Sequence, residues 1–155
     1  MREIKLSESE MNICKYIGTM RNAITSAQGT EMKQDQSKDS LQMSIDGVIT
    51  EYACAKDLNL HFNYDCTYRK FGADLISKNG KSVDVKSTKP GGNLNAVLWS
   101  VNKQTELYIL TELSDNIVRL VGWIDGSVFI TDKNIKDVGN GSFYSLSRDR
   151  LHPFN

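Results

Sequence analysis

From Ser7 onward, apolar positions recur at helical spacing: Ile13, Ile17, Met20 and Ile24 align along one side, with Met11 and Cys14 beside them. Ser7-x-x-Glu10 reads as a capping box, so the spacing predicts a helix over about residues 8–27. The run 28–40, QGTEMKQDQSKDS, is nearly devoid of apolar residues and reads as a loop or a frayed helix end. Helical periodicity then returns in MSIDGVITEYACAKDLNL. From about residue 66 the period shortens to that of strands, with candidates at 72–77, 82–88, 95–101, 106–113, 117–124 and 127–131. Asn79-Gly80, Pro90-Gly91-Gly92, Ser114-Asp115-Asn116 and Asp125-Gly126 separate them. The tail from Asp132 is rich in Gly, Asn and Ser and carries little pattern. No repeat or long linker divides the chain. The expectation is one α+β domain over 1–155, with N-terminal helices packed on a mixed, largely antiparallel β-sheet and a core of about 42–131.

Composition narrows the classes of function more than it names one. A chain of 155 residues is long enough for one sizeable core. Lys+Arg 19 against Asp+Glu 19 gives zero net charge, so any basic surface must be local. No run of about 18 apolar residues is present, and a membrane span is not expected. The stretch MREIKLSESE lacks the apolar segment of a secretory signal. Cys14, Cys54 and Cys66 are odd in number and without CxxC spacing, which points to reduced thiols and a cytoplasmic location. With His61 and His152 the only histidines, zinc is not expected.

The chemistry gathers in the middle of the chain. On the second helix, Val48, Tyr52, Ala55 and Leu58 fall on one side, Ile45 and Ile49 extend the arc, and Glu51 lies inside it. A carboxylate on an apolar stripe either snorkels to water from its edge or needs a partner or metal, because desolvating it alone costs several kcal/mol. Downstream, FGADLISKNGKSVDVKST places Asp84 and Lys86 on one strand face and Val83 and Val85 on the other. With Asp74 and Glu51 this makes three carboxylates and one lysine on neighbouring elements. Such oxygen donors suit Mg²⁺ or Mn²⁺, and a nearby ammonium can orient or deprotonate a water and stabilise charge developing on phosphorus.

Helix-borne Glu51, then Gly72-Ala73-Asp74, a short hairpin, and Asp84-Val85-Lys86 resemble the PD-(D/E)XK nuclease superfamily, whose fold is called restriction-endonuclease-like. The likeness is nearest to small phage-encoded or mobile-element members and spans roughly 44–130, including ELYILTEL and IVRLVGWI. Ala73 stands where the family name has Pro, and Asp replaces the more frequent Glu in the second motif. The resemblance implies a Mg²⁺- or Mn²⁺-dependent endonuclease acting on DNA, in the host cytoplasm if phage-encoded. It further implies Asp74, Asp84, Glu51 and the Val85 carbonyl as metal ligands and Lys86 as the catalytic lysine. Cutting both strands with one site per chain would favour a homodimer.

Two further expectations can be checked in a structure. A two-residue Asn79-Gly80 turn would pair Asp74 with Val85 and send Asp74 to the face opposite Asp84 and Lys86. A common site therefore requires a three-residue loop, a bulge or a bend near Asp74. Arg69, Lys70, Ser87, Thr88 and Lys89 are candidates for contacting phosphates, or else ordinary surface and turn residues. Arg21 either reaches toward substrate or, as the more ordinary reading, belongs to a solvated helix face. The alternatives to an enzyme are an inactive nucleic-acid-binding protein on the same fold and a phage interaction or inhibitor protein.

Overall fold

The structure, a computed structural model, describes residues 1–27, 39–67, 72–98, 101–139 and 141–155. Most of the polar run 28–40 and all of Arg69, Lys70 and Trp99 lie outside these residues.

Helix α1 spans Glu8–Ala27. It begins at the capping box, with the Ser7 and Glu10 amides each bonded to the other's side chain at 3.1 Å. Its buried stripe is Cys14, Ile17 and Gly18, whereas Ile13 and Met20 of the expected stripe are exposed. Gly18 explains the rotation. A Cβ there would lie 2.6 Å from the Ile45 Cα, so only glycine allows the second helix this close. That helix, α2 (Ser40–Leu58), starts where Asp39 accepts the Gln42 amide at 2.7 Å and ends at left-handed Asn59, φ 53°. Lys56 meets Glu10 at 2.9 Å while Gly18 abuts Ile45, so the two helices run antiparallel.

The strands are β1 (Arg2–Lys5), β2 (Leu75–Ile76), β3 (Ser82–Thr88), β4 (Leu94–Val97), β5 (Leu107–Ser114), β6 (Ile117–Asp125), β7 (Ile135–Asp137) and β8 (Ser142–Leu146). Five of them form a sheet in the order β1-β6-β5-β3-β2, in which only β3 and β5 are parallel. Parallel strands need a crossover connection. Here it runs through β4, which belongs to a second sheet of order β4-β8-β7. The helices cover one face of the large sheet, burying Val48, Ile49, Cys54, Val83, Val85 and Ile109. The other face forms a second core with Tyr108, Leu110, Phe129, Tyr144 and Leu146. In β6 the register shifts by an extra residue, Val121. Before this bulge Val118 and Leu120 face the helices, and after it Ile124 faces the second core.

The α+β class is as expected, but several elements differ. Residues 127–131, expected as a strand, belong instead to the short helix α3 (Gly126–Phe129) and the turn after it. A Cβ at Gly126 would overlap the Thr105 carbonyl, and the Gly126 amide bonds Glu106 O at 2.8 Å, turning the chain out of β6. The tail expected to lack pattern supplies β7 and β8, short strands recognisable only once paired. β1 is also additional: four polar-flanked residues with Ile4 alone buried. Expected strand 72–77 shrinks to 75–76, and the strand expected over 95–101 is seen over 94–97, with 99–100 outside the described residues. Among the described residues, no helix is long and apolar enough to cross a membrane.

Candidate functional site

Between β2 and β3 the partners are Leu75↔Val83 and Ile76↔Ser82. The next pair inward is Ser77 with Lys81, whose carbonyl accepts the Ser77 amide at 2.8 Å. Lys78, Asn79 and Gly80 therefore make a three-residue loop. Gly80 has φ 80°, the left-handed residue that such loops require. Ser77 tightens it further: its carbonyl accepts the Gly80 amide at 2.9 Å and its Oγ accepts the Lys81 amide at 3.0 Å. The same register carried outward sets Asp74 opposite Asp84. This is the three-residue solution that a shared face demands, and the two-residue Asn-Gly turn is not used.

Asp74 lies just beyond the end of β2. Its amide bonds the Val83 carbonyl at 3.1 Å, and its Oδ2 accepts the Val85 amide at 2.8 Å. The carboxyl groups of Asp74 and Asp84 come within hydrogen-bonding reach. Asp84 also holds the Lys86 ammonium at 2.9 Å. In the parallel ladder Asp84 and Lys86 neighbour Tyr108 and Leu110, so both point to the second-core side, while Val83 and Val85 bury toward the helices. Asp74, Asp84 and Lys86 thus form one connected group at the sheet edge, with the Val85 backbone threaded through it.

Electrostatics follow from this crowding. Burial pushes the Asp74 carboxyl well above the usual range, and the charges of Glu51 and Asp84 push it further, against a smaller opposing pull from Lys86. Burial alone would lower Lys86, but Asp84 and Asp74 outweigh it and hold the ammonium above its ordinary value. Tyr108 is raised to about 12 by burial and by the Asp84 charge. Asp74 and Asp84 bring two carboxyl groups together, and a hard divalent cation would relieve their crowding, so the pair supplies two of the oxygen donors such an ion takes.

Glu51 stands apart from this pair. It lies on α2 with its side chain only 14% exposed, on the core side where the apolar arc puts it. Its Oε2 accepts Arg21 Nη1 at 3.0 Å. Its charge reaches Asp74, but among the described residues no three Asp, Glu, His or Cys side chains are grouped to hold a metal. The expected trio therefore resolves into a pair plus a neighbour held by an arginine.

Arg21 is the residue that the sequence reading placed wrongly. Rather than facing solvent, it is 16% exposed, and it also donates to Asn63 O at 2.6 Å and to Asp65 O at 3.2 Å. The signal was available: Arg21 stands seven residues after Cys14 and three after Gly18, on the buried stripe. Glu112, inside the apolar strand β5, is likewise buried. It accepts Arg148 Nη1 at 2.6 Å and the Gly91 amide at 2.9 Å, anchoring the loop after β3.

Of the phosphate-contact candidates, Ser87 and Lys89 are exposed and Thr88 half-buried. All three line a cavity of about 490 Å³ between α1, α2 and the ends of β3 and β5, together with Lys15 and Asp46. His152 lies against Trp123, ring centroids 4.6 Å apart, in the docked C-terminal segment rather than near the acids. Comparison with known proteins finds no matching family model, and no significant match among curated proteins or solved structures.

Proposed function

We propose that this chain is a metal-dependent endonuclease of PD-(D/E)XK type that hydrolyses DNA phosphodiester bonds. The observation that carries the reading is the hairpin register, which sets Asp74 opposite Asp84 with Lys86 bonded to Asp84 at 2.9 Å. A Mg²⁺ or Mn²⁺ ion held by Asp74 and Asp84, with the Val85 carbonyl as a further oxygen donor and Glu51 left outside this set by its bond to Arg21, would polarise the scissile phosphate and lower the pKa of a bound water.

The protein's own groups have separable tasks in this reading. Asp84 fixes the Lys86 side chain and supplies the charge that keeps it protonated. As an ammonium, Lys86 donates hydrogen bonds, orienting the attacking water and stabilising negative charge as it develops on the phosphoryl oxygens. Asp74, anchored by the Val85 amide, fixes the distance between the two acids. Ser87, Thr88 and Lys89 continue along β3 and beyond it, and would meet the flanking phosphates. Breaking both strands of a duplex with one site per chain calls for two copies.

Cleavage of supercoiled plasmid in Mg²⁺ or Mn²⁺ tests the reading. Wild-type protein is expected to nick or linearise the DNA and to stop in EDTA. Asp84→Ala and Lys86→Ala are each expected to lose at least about 100-fold in rate. Equal, EDTA-insensitive behaviour in all three overturns the proposal. A second reading, a nucleic-acid-binding protein without turnover, draws support from the grip of Arg21 on Glu51. DNA retention by a wild-type protein that cleaves nothing would favour it.

A further inference from the structure

Trp123 is a large aromatic side chain left half-buried on the sheet face that the helices otherwise cover. Its cross-strand partner is Ile109, and Leu107 pairs with Asp125 two residues along, so Leu107, Trp123 and Asp125 share that face. Helix α2 ends here, at Asn59. Leu58 and Leu60 on either side of this cap form one wall of an open cavity of about 590 Å³. Leu107, Trp123 and Asp125 line it from the sheet, and Lys78 and Lys81 from the β2–β3 turn. Its volume falls within the range of about 300–1,000 Å³ usual for small-ligand sites.

The parts of the cavity are held in place. The Trp123 amide donates to His152 O at 2.9 Å, the His152 amide to Trp123 O at 2.8 Å, and the two rings lie 4.6 Å apart. A Cβ at Gly122 would lie 2.7 Å from the Leu151 Cβ, so glycine lets the C-terminal segment close on β6 beside the tryptophan. The Ser77 bonds that tighten the hairpin loop fix the backbone from which Lys78 and Lys81 project. Both lysines are exposed and Asp125 is half-buried, so positive charge stands at the mouth and the carboxylate further in. Among the described residues, none of these three charges takes part in an ion pair. Asp125, at the start of α3, makes no side-chain capping bond either.

We propose that this cavity takes an unpaired nucleobase of a single-stranded nucleic acid, stacked on Trp123, with the adjoining phosphates on Lys78 and Lys81. The inference rests on the nucleic-acid reading above for a polymeric ligand and is independent of the metal site. An indole face stacks on any base, and the leucine walls keep water from the contact. Two ammonium groups at the mouth suit the phosphates that flank such a base. Asp125 accepts hydrogen bonds from the amino group that cytosine, adenine and guanine carry and thymine lacks. A duplex keeps its bases stacked inside and has none to offer. An acidic peptide would satisfy the lysines and leave the indole without a planar partner. Lys81 stands three residues before Asp84, about 10 Å along the same arm, so this grip and the candidate acids share one hairpin.

The test is fluorescence anisotropy of a labelled oligo-dC of about 15 nucleotides with the full chain, with circular dichroism as the check on folding. EDTA keeps the metal site silent throughout. Wild type is expected to bind the oligonucleotide at least about fivefold more tightly than a duplex of the same length. Trp123→Ala should lose about tenfold or more, and Trp123→Phe, which keeps a ring to stack on, at most about threefold. Lys78→Gln with Lys81→Gln should lower the slope of log affinity against log salt by about 1.4, the share of two phosphate contacts. Absence of binding by wild type, equal affinity for duplex, or a natively folded Trp123→Ala that binds as wild type does overturns the proposal. Competition by a poly-glutamate peptide as effective as that by unlabelled oligo-dC overturns it too. Should Trp123→Ala fail to fold, the double lysine substitution decides: a reduced salt slope supports the site and an unchanged one overturns it. A protein that binds in this way and cleaves nothing loses the nuclease reading and keeps this one. One that cleaves plasmid while its binding ignores these substitutions loses this one alone.

Discussion

Asp74 accepts the Val85 amide on one oxygen and meets the Asp84 carboxyl nearby, so its ionisation places a second negative charge beside the first in a desolvated corner. Its folded pKa is raised above the unfolded value. The associated stability is therefore present at low pH and is lost as pH rises through the folded pKa. Asp74→Asn keeps an acceptor for Val85 and offers Asp84 a donor that never ionises. In the absence of metal, Asp74→Asn is expected to melt about 5 °C above wild type at pH 8, with the gap closing toward pH 4. Equal melting temperatures at pH 8 would show that the crowding is not felt. Under the proposed function the same substitution also removes a proposed metal ligand, so greater stability should accompany loss of the proposed cleavage.

At the scale of elements, the sharpest constraint is the contact between α1 and α2. A side chain at Gly18 would run into the Ile45 backbone, which cannot give way as a flexible side chain can. Gly18→Val is expected to cost about 3 kcal/mol or more, measured by urea denaturation. It should also disturb Arg21, one turn further along, and with it the hold on Glu51. Both helices could be read from the sequence because caps and long periodic stripes are local signals. The face that α1 buries could not, since it is chosen by a close approach to a partner that periodicity does not reveal. The hairpin is the reverse case. Asn79-Gly80 advertises the commonest two-residue turn, yet burial of Leu75 and Val83, the Ser77 bonds and the Asp74–Val85 bond select a longer loop. Asp84 and Lys86 were legible because strand alternation is strict. That Asp74 should join them rested on a register only the folded sheet decides.

Across the whole molecule, a large sheet separates two cores, and Glu112 with Arg148 secures the connection between them. Burial raises the Glu112 pKa, but the Gly91 amide and Arg148 outweigh it and hold it below the usual carboxylate value. A depressed folded pKa contributes stability above the unfolded value and loses it as pH falls through the folded one. Wild type should accordingly weaken as pH falls below the ordinary carboxylate range. Glu112→Gln should already be weaker by about 3 kcal/mol at pH 7, with less of this acid sensitivity, by urea denaturation across pH 3–8. An unaltered acid limb would assign the transition to other carboxylates. The second core was the least legible part of the fold. Its strands β4, β7 and β8 are three to five residues long, and the Val121 bulge exchanges the faces of β6 midway.

The pairing of β1 with β6, Arg2 opposite Leu120, has a consequence in time. At a synthesis rate of about 5–20 residues per second, β1 leaves the ribosome roughly 6–24 s before its partner strand exists. During that wait the capped helices can form and dock on one another through Gly18, while β1 stays unpaired. Ile4 and Leu6, both buried in the finished protein, are then a short apolar segment open to chaperones. Strand β1 is made well before β6 but can be placed only after it, and its docking marks the closing of the sheet edge.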